Sequence, residues 1–485
     1  MRRLFLFLVA VAAIVALVSL PAAAADFKFG GQAWTRYYSF NNMKDGTNDL
    51  DDNLNGFYTR FRLYFTATGS ENLKAVFKYE IDDIWGNGRL GTTSTDGGSL
   101  DRSDNSTQTA ANSGGEVKNA YIDFNIPNTP LNAMVGVLPA KLGRGLAFDD
   151  DTNGIVVTGK FHPVKVSLVY SRLQDNSQPT NESLYGTGSI QAAFSAANTP
   201  ETPFTSHDDW DLWAAAIRFD PTQALSLDLA GTWINTTFDN PSRDFNLYNL
   251  VLDADYKADL FTLYFTGGKN FGAVDLTGGG SADFKGWMIT TGGTVRVDPV
   301  VIGLDFYYGS GQPSGSDDIK TYVTPGLDGR NTYNMDEVVF LGWFDDESAT
   351  YKSFHTTASQ GVNINNVSST GLTRSNQTKV LTNLWAIGAH VDFKPFEKTL
   401  LQVGGAYMQF VEDVPSRTSN QLPTGTVEEK DNKLGTSLYI RLAQGIVDGL
   451  ELKAAFGYLF ADDGFSPVKN EDDAYKFATG LSWYW

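Results

Sequence analysis

Strict alternation of apolar and polar side chains, repeated from one end of the chain to the other, most narrows what this sequence can fold into. In residues 474–485 the positions Tyr475, Phe477, Thr479, Leu481, Trp483 and Trp485 share one parity, and Lys476, Ala478, Gly480, Ser482 and Tyr484 share the other. A period of two places each set on one face of a β-strand. Near the other end Phe57, Phe61, Leu63 and Phe65 alternate with Tyr58, Arg60, Arg62 and Tyr64, and Leu73, Ala75, Phe77, Tyr79 and Ile81 alternate with Lys74, Lys78, Glu80 and Asp82. Charges inside a strand need water on their side, while rows of Phe, Leu and Trp need an apolar surround on theirs. A closed sheet with lipid outside and water inside satisfies both.

About eighteen such segments are predicted, from 27–40 to 474–485, among them 131–138, 154–161, 223–234 and 245–256. The count becomes 16 or 20 if a segment within a long loop is misread. Connections after even-numbered segments are short, as at Pro127–Pro130, Lys257 and Asp298, and those after odd-numbered segments are long. Tight turns at one rim and long loops at the other are what a transmembrane antiparallel up-and-down β-barrel requires, and an even strand number leaves both termini at the turn side. A soluble sandwich or propeller has no reason to lengthen every second hairpin.

The barrel is assigned to residues 26–485. Ahead of it, Met1-Arg2-Arg3 precedes an apolar run from Leu4 to Leu20 and then Pro21 and four alanines, the layout of a signal peptide over 1–25 cleaved near Ala25. Beyond it no apolar run is long enough to span a bilayer as a helix. Loss of Arg2 and Arg3 takes the net charge from −19 to −21, which argues against nucleic acid as a partner. With no cysteine, disulfides cannot hold the fold, and the closed hydrogen-bond ladder must.

The last strand, AYKFATGLSWYW, resembles the C-terminal insertion signal of bacterial outer-membrane barrels, carried here by Tyr475, Phe477, Leu481, Trp483 and Trp485. That resemblance implies recognition by the barrel-assembly machinery. With the leader, the alternation and the loop asymmetry, the mature chain resembles the Gram-negative porin superfamily. It implies a lipid-embedded outer-membrane pore for passive diffusion of small hydrophilic solutes and ions, with a homo-oligomer left open. Residues 131–161, with Gly143-Arg144-Gly145 and Asp149-Asp150-Asp151, are also similar to a stretch of the alginate export family, which implies as alternative a barrel moving an anionic saccharide.

With polar parities turned inward, a basic wall forms from Arg36, Arg60, Arg62, Lys74, Lys78, Arg441 and Lys453, since closure joins the last strands to the first. An acidic wall forms from Asp228, Asp253, Asp255, Asp305 and Asp392 on the far side. Facing walls of opposite charge set up a transverse field. The other reading is a set of solvated lumen charges paired with neighbours such as Glu80, Asp82 and Asp123. Trp34, Tyr58, Tyr64 and Tyr121 read either as a sugar-stacking track or as loop-contacting aromatics. Outward Phe57, Phe65, Trp213, Trp233, Tyr458, Trp483 and Trp485 are assigned to interfacial girdles.

No enzyme is expected: His390 lies two residues from Asp392, but no nucleophile context such as G-x-S-x-G accompanies the pair. No cofactor or metal is expected either, because the haem motif C-x-x-C-H is absent and no acid run has EF-hand spacing. Arg144 and, in the long loop 310–379, Phe340, Trp343 and Phe344 are placed near the pore mouth. The apolar stretch 335–344 reads as a strand, a helix packed into the mouth as a constriction, or a contact with another subunit; the constriction is preferred.

Overall fold

In a computed structural model the alternating segments become eighteen strands of one closed antiparallel sheet. The structure describes residues 26–41, 54–84, 115–174, 210–239, 242–275, 280–311, 313, 316–323, 361–368, 371–375, 383–412, 432–462 and 473–485. The first nine wall strands are β1 (Asp26–Asn41), β2 (Leu54–Ser70), β3 (Leu73–Ile84), β4 (Gly115–Asn125), β5 (Leu131–Leu142), β6 (Phe148–Phe161), β7 (Val164–Gln174), β8 (Trp210–Phe219) and β9 (Leu225–Asp239). The second nine are β10 (Ser242–Lys257), β11 (Phe261–Asp275), β12 (Trp287–Val297), β13 (Val300–Gly309), β14 (Leu384–Phe396), β15 (Thr399–Phe410), β16 (Lys433–Val447), β17 (Leu450–Ala461) and β18 (Ala474–Tyr484). Each pairs with its sequence neighbours. β1 also pairs with β18, from Gln32 opposite Tyr484 to Asn41 opposite Tyr475, which leaves the wall without an edge. Beyond the last paired residue, Gly31 and Trp485 exchange two backbone hydrogen bonds of 3.1 and 3.2 Å.

Burial follows the parity expected from sequence. On β1 Gln32, Trp34, Arg36 and Tyr38 are buried toward the lumen, while Phe57, Phe61 and Leu63 on β2 are exposed on the outer surface. Of the insertion residues, Leu481, Trp483 and Trp485 are exposed outward, and Tyr475 and Phe477 share their parity opposite buried Lys476 and Ala478. The outer face is lined by aromatic contacts such as Trp233 stacked on Tyr248 and Trp483 tilted against Trp485.

Besides β11, which runs on from an expected end at Gly268 to Asp275, two connections at the long-loop rim differ from the sequence expectation. Strand pairing between β9 and β10 runs up to Asp239 opposite Ser242, so a connection expected over 235–244 shrinks to residues 240–241. Phe238 is the one apolar side chain among Asn235–Asp239 and Ser242–Asp244, so the alternation fades there and the stretch reads as loop. The second difference is the β5–β6 hairpin, where segments expected to stop at 138 and start at 154 continue to Leu142 and from Phe148. β5 loses its β4 neighbour after Val137 and β6 has no β7 partner before Gly154. The outer end of this hairpin is therefore paired only with itself, and it turns into the barrel. Gly136, at φ 136°, sits where the strand leaves the wall; a Cβ there would lie 2.3 Å from the Ala120 carbonyl oxygen.

The inward parity of β9–β13 explains why the hairpin goes there. Ile234, Phe245, Leu247, Val251, Met288 and Tyr307 are all buried, and the hairpin covers them with Leu138, Leu142, Leu146 and Phe148, each at most 8% exposed. Burying side chains of this size is worth ~1.5–3 kcal/mol each. Ile319, Tyr322 and Val323, from the start of the long loop, join the same core. The lumen is thus partly a packed core and only partly a polar passage. The stretch 335–344, with Phe340, Trp343 and Phe344, lies outside the described residues, as do the acid runs 49–53, 208–209 and 345–347.

Candidate functional site

The basic residues gather on one arc of the wall. Arg36, Arg60 and Arg441 are almost fully buried in the lumen lining, and Lys476 of β18 joins them. Trp34 lies beneath two guanidiniums, 3.9 Å from Arg36 and 5.3 Å from Arg60, and Arg441 lies 4.4 Å over Tyr439. With 3% of its surface exposed, Trp34 offers no open face for stacking a sugar. Lys78 sits 5.4 Å over Tyr64, Lys74 bonds Asp123 at 3.0 Å, and Lys453 bonds Glu451 at 3.2 Å.

One buried acid stands inside the arc. Glu80, 1% exposed, is held by Arg60 at 3.2 Å, by Arg62 and by Lys118 at 3.8 Å. Lys118 also lies 3.9 Å from Asp151 of the infolded hairpin. Parity counting misses Lys118, because the β3–β4 register shifts between Lys78 and Tyr79 and Lys118 is the extra residue of that bulge. A bulge re-aims a side chain without leaving any mark in the alternation. The side chain of Asp82 lies outside the described residues.

Across the lumen, the acidic residues occupy β9, β10, β13 and β14. Asp305 accepts from the Tyr264 hydroxyl at 2.7 Å and lies 3.4 Å from His390 Nδ1. Asp392 accepts from Gln402 at 2.7 Å, and Gln402 in turn accepts from Arg441 at 3.0 Å, so this relay marks where the acidic arc meets the basic one. Asp253 is buried and accepts from Thr266 at 2.5 Å.

The hairpin tip Gly143–Gly145 brings a cation to the acidic arc. Arg144 Nη2 lies 2.5 Å from Asp255 and its Nε 3.3 Å from Asp253. Arg144 has φ 51° and ψ 21°, a left-handed conformation that costs a side-chain-bearing residue of order 1–3 kcal/mol. The docked ion pairs and the apolar seat of the hairpin offset it. The tip is also clamped by backbone: the Leu146 carbonyl accepts from Asn249 at 2.8 Å, and the one Tyr322 hydroxyl proton is shared between that carbonyl at 3.1 Å and Asn249 Oδ1 at 2.9 Å. Burial pushes the Tyr322 hydroxyl well above its ordinary value, so it stays protonated and keeps donating.

A closed lipid-facing wall, a lumen lined by charge and a loop fastened across it together describe a pore narrowed from within. The sequence of a Gram-negative porin family matches residues 10–328. The chain belongs to that family. It is therefore an outer-membrane channel for small hydrophilic solutes. Solved structures similar in fold include Acinetobacter baumannii OccAB4 (TM-score 0.51, 11% identity, 96% of this chain and 100% of that one) and a BenF-like porin from Pseudomonas fluorescens Pf-5 (TM-score 0.52, 10% identity, 95% and 98%). Pseudomonas aeruginosa OccK3 is a third, with TM-score 0.50, 9% identity and 94% and 96% coverage. Among curated proteins none matches the sequence. The local similarity of 131–161 to alginate exporters gains no support from these comparisons; that stretch of the porin is the infolded hairpin, whose glycines and Arg144 serve its turn and docking.

Proposed function

We propose that this porin is a passive, weakly ion-selective pore that orients dipolar solutes between its two charged arcs. The observation that carries the reading is the placement of the basic side chains around β1 and of the acidic ones around β10. β1 and β10 stand nine apart in a ring of eighteen, so Asp228, Asp253 and Asp255 face the basic arc, while Asp305 and Asp392 on β13 and β14 run on toward its β16 edge. Both signs line one passage, so net selectivity is small while the field across the passage is large. Such a field favours a solute whose own charges are separated, and it costs a solute of either single sign little. No step in this reading calls for catalysis.

The reading also includes removal of 1–25 on export, recognition of the last strand by the barrel-assembly machinery, and a homo-oligomer if 335–344 meets a second copy rather than the pore mouth. Deleting 335–347 separates these: higher conductance places the stretch in the mouth, and dissociation of an oligomer places it at an interface. The main test is single-channel recording in planar bilayers with salts of small and large ions. Open conductance with a reversal potential near zero is expected. Strong selectivity for one sign, or no conductance, overturns the reading.

A further inference from the structure

Below the docked hairpin tip, near the periplasmic ends of β7–β10, lies a cavity of about 300 Å³. Its floor is one cross-strand row: Lys165 on β7 opposes Arg218 on β8, Arg218 opposes Asp228 on β9, and Asp228 opposes Asp253 on β10. Two cations are followed by two acids. The tip forms the roof with Lys141 and Arg144. Much of this charge is already engaged, since Arg144 holds Asp253 and Asp255 and Arg218 holds Asp220 at 3.0 Å.

Two groups remain. Among the described residues, Asp228 Oδ1 is buried without a hydrogen-bond partner; Arg218 and Lys165 act on Asp228 through space, with no contact ion pair to it. A buried carboxylate oxygen with no donor is costly, and a positively charged donor entering the cavity relieves that cost. Lys165 stands two strands away in the same row, exposed, with three donors open to water or to a solute.

We propose that this cavity is a binding subsite for small zwitterions, with the solute ammonium on Asp228 and the solute carboxylate on Lys165. The backbones of β7 and β9 are roughly 10 Å apart, and side chains from both reach inward, so the gap suits charges separated by a few carbons rather than by one. The subsite deepens the dipolar-solute reading, because it is a place on the pathway where that orientation is held.

The test uses the full barrel in planar bilayers, with 4-aminobutyrate as the zwitterion and butyrate and butylammonium as its single-charge halves. Each is added from the periplasmic-equivalent side, and block of the KCl current is measured. Saturable block by 4-aminobutyrate at concentrations where neither half blocks is expected. Asp228→Asn and Lys165→Gln should each weaken that block by about tenfold or more, the loss of one charge-assisted hydrogen bond. Heat-modifiable migration on gels verifies that each variant is a folded barrel. Absence of block by 4-aminobutyrate, block by butyrate of equal strength, or block indifferent to both substitutions overturns the subsite. These failures are read on a conducting pore, whereas failure of the pore reading itself shows as missing or strongly selective KCl conductance.

Discussion

Glu80 illustrates how a single side chain sets the electrical character of this lumen. Its carboxylate lies in contact with Arg60, Arg62 and Lys118, and it removes one unit of charge from the centre of the basic arc. Replacing it with Gln keeps the shape and most hydrogen bonds but returns that unit. The Glu80→Gln variant should shift the reversal potential toward anions, raising the anion-to-cation permeability ratio by about fivefold if the change is worth ~1 kcal/mol. An unchanged reversal potential would show that the arc is too far from the conducting path to act on ions. Arg144 makes the complementary case. Its Ala variant leaves Asp253 buried beside Asp255 without their cation, so Arg144→Ala should loosen the tip and raise open-channel current noise in the same recordings.

At the scale of the element, the β5–β6 hairpin folds across the lumen, the placement that the sequence reading prefers for 335–344, which lies outside the described residues. It crosses the lumen because its outer end has no wall neighbours and because β9–β13 present it with an apolar seat. Leu146 and Phe148 are fully buried in that seat, and truncation to Ala of a Leu costs ~2–5 kcal/mol and of a Phe ~3–5 kcal/mol. The double variant Leu146→Ala, Phe148→Ala should release the tip, so that conductance rises and larger solutes pass. None of the hairpin beyond Val137 and before Gly154 belongs to the wall ladder, so the amount of heat-modifiable barrel should stay the same. Unchanged conductance in a folded variant would remove the tip from the list of constrictions. The hairpin was half legible. Alternation placed its base at 131–138 and 154–161, and Gly143-Arg144-Gly145 looked like a loop. Its inward turn depends on which strands end early beside it, a fact of the neighbours and not of the hairpin.

For the whole molecule, stability rests on closure. β1 and β18 complete the ladder, and Trp485 extends it by two backbone bonds to Gly31 while its ring lies over Gly31 and 5.4 Å from Phe61. A Cβ on Gly31 would come within 2.2 Å of that ring, so the glycine is what lets the terminal Trp pack on the seam. Deleting Trp485, or Trp485→Asp, should lower the amount of folded barrel in outer-membrane fractions; equal amounts would detach the last residue from assembly. The purified protein should give a β-rich circular dichroism spectrum and migrate differently on gels before and after heating, because a sheet without edges resists detergent until the ladder melts.

What the sequence determined by itself is the set of properties that repeat with the strand period. Alternation fixed the eighteen segments, the outward aromatics and the inward charges, because each side chain's face follows from its own position and a period of two. Even the placement of the β9 and β10 acids opposite the basic arc follows from counting strands in order. The tertiary structure decided whatever depends on contacts between distant segments. Lys118 turns inward at a bulge defined against β3, Trp34 is covered by arginines from two strands, and Arg144 meets Asp253 and Asp255 across the lumen. The row from Lys165 to Asp253 exists only once three registers are set. Register and infolding arise from the balance of packing among many strands, and no local pattern in the chain encodes that balance.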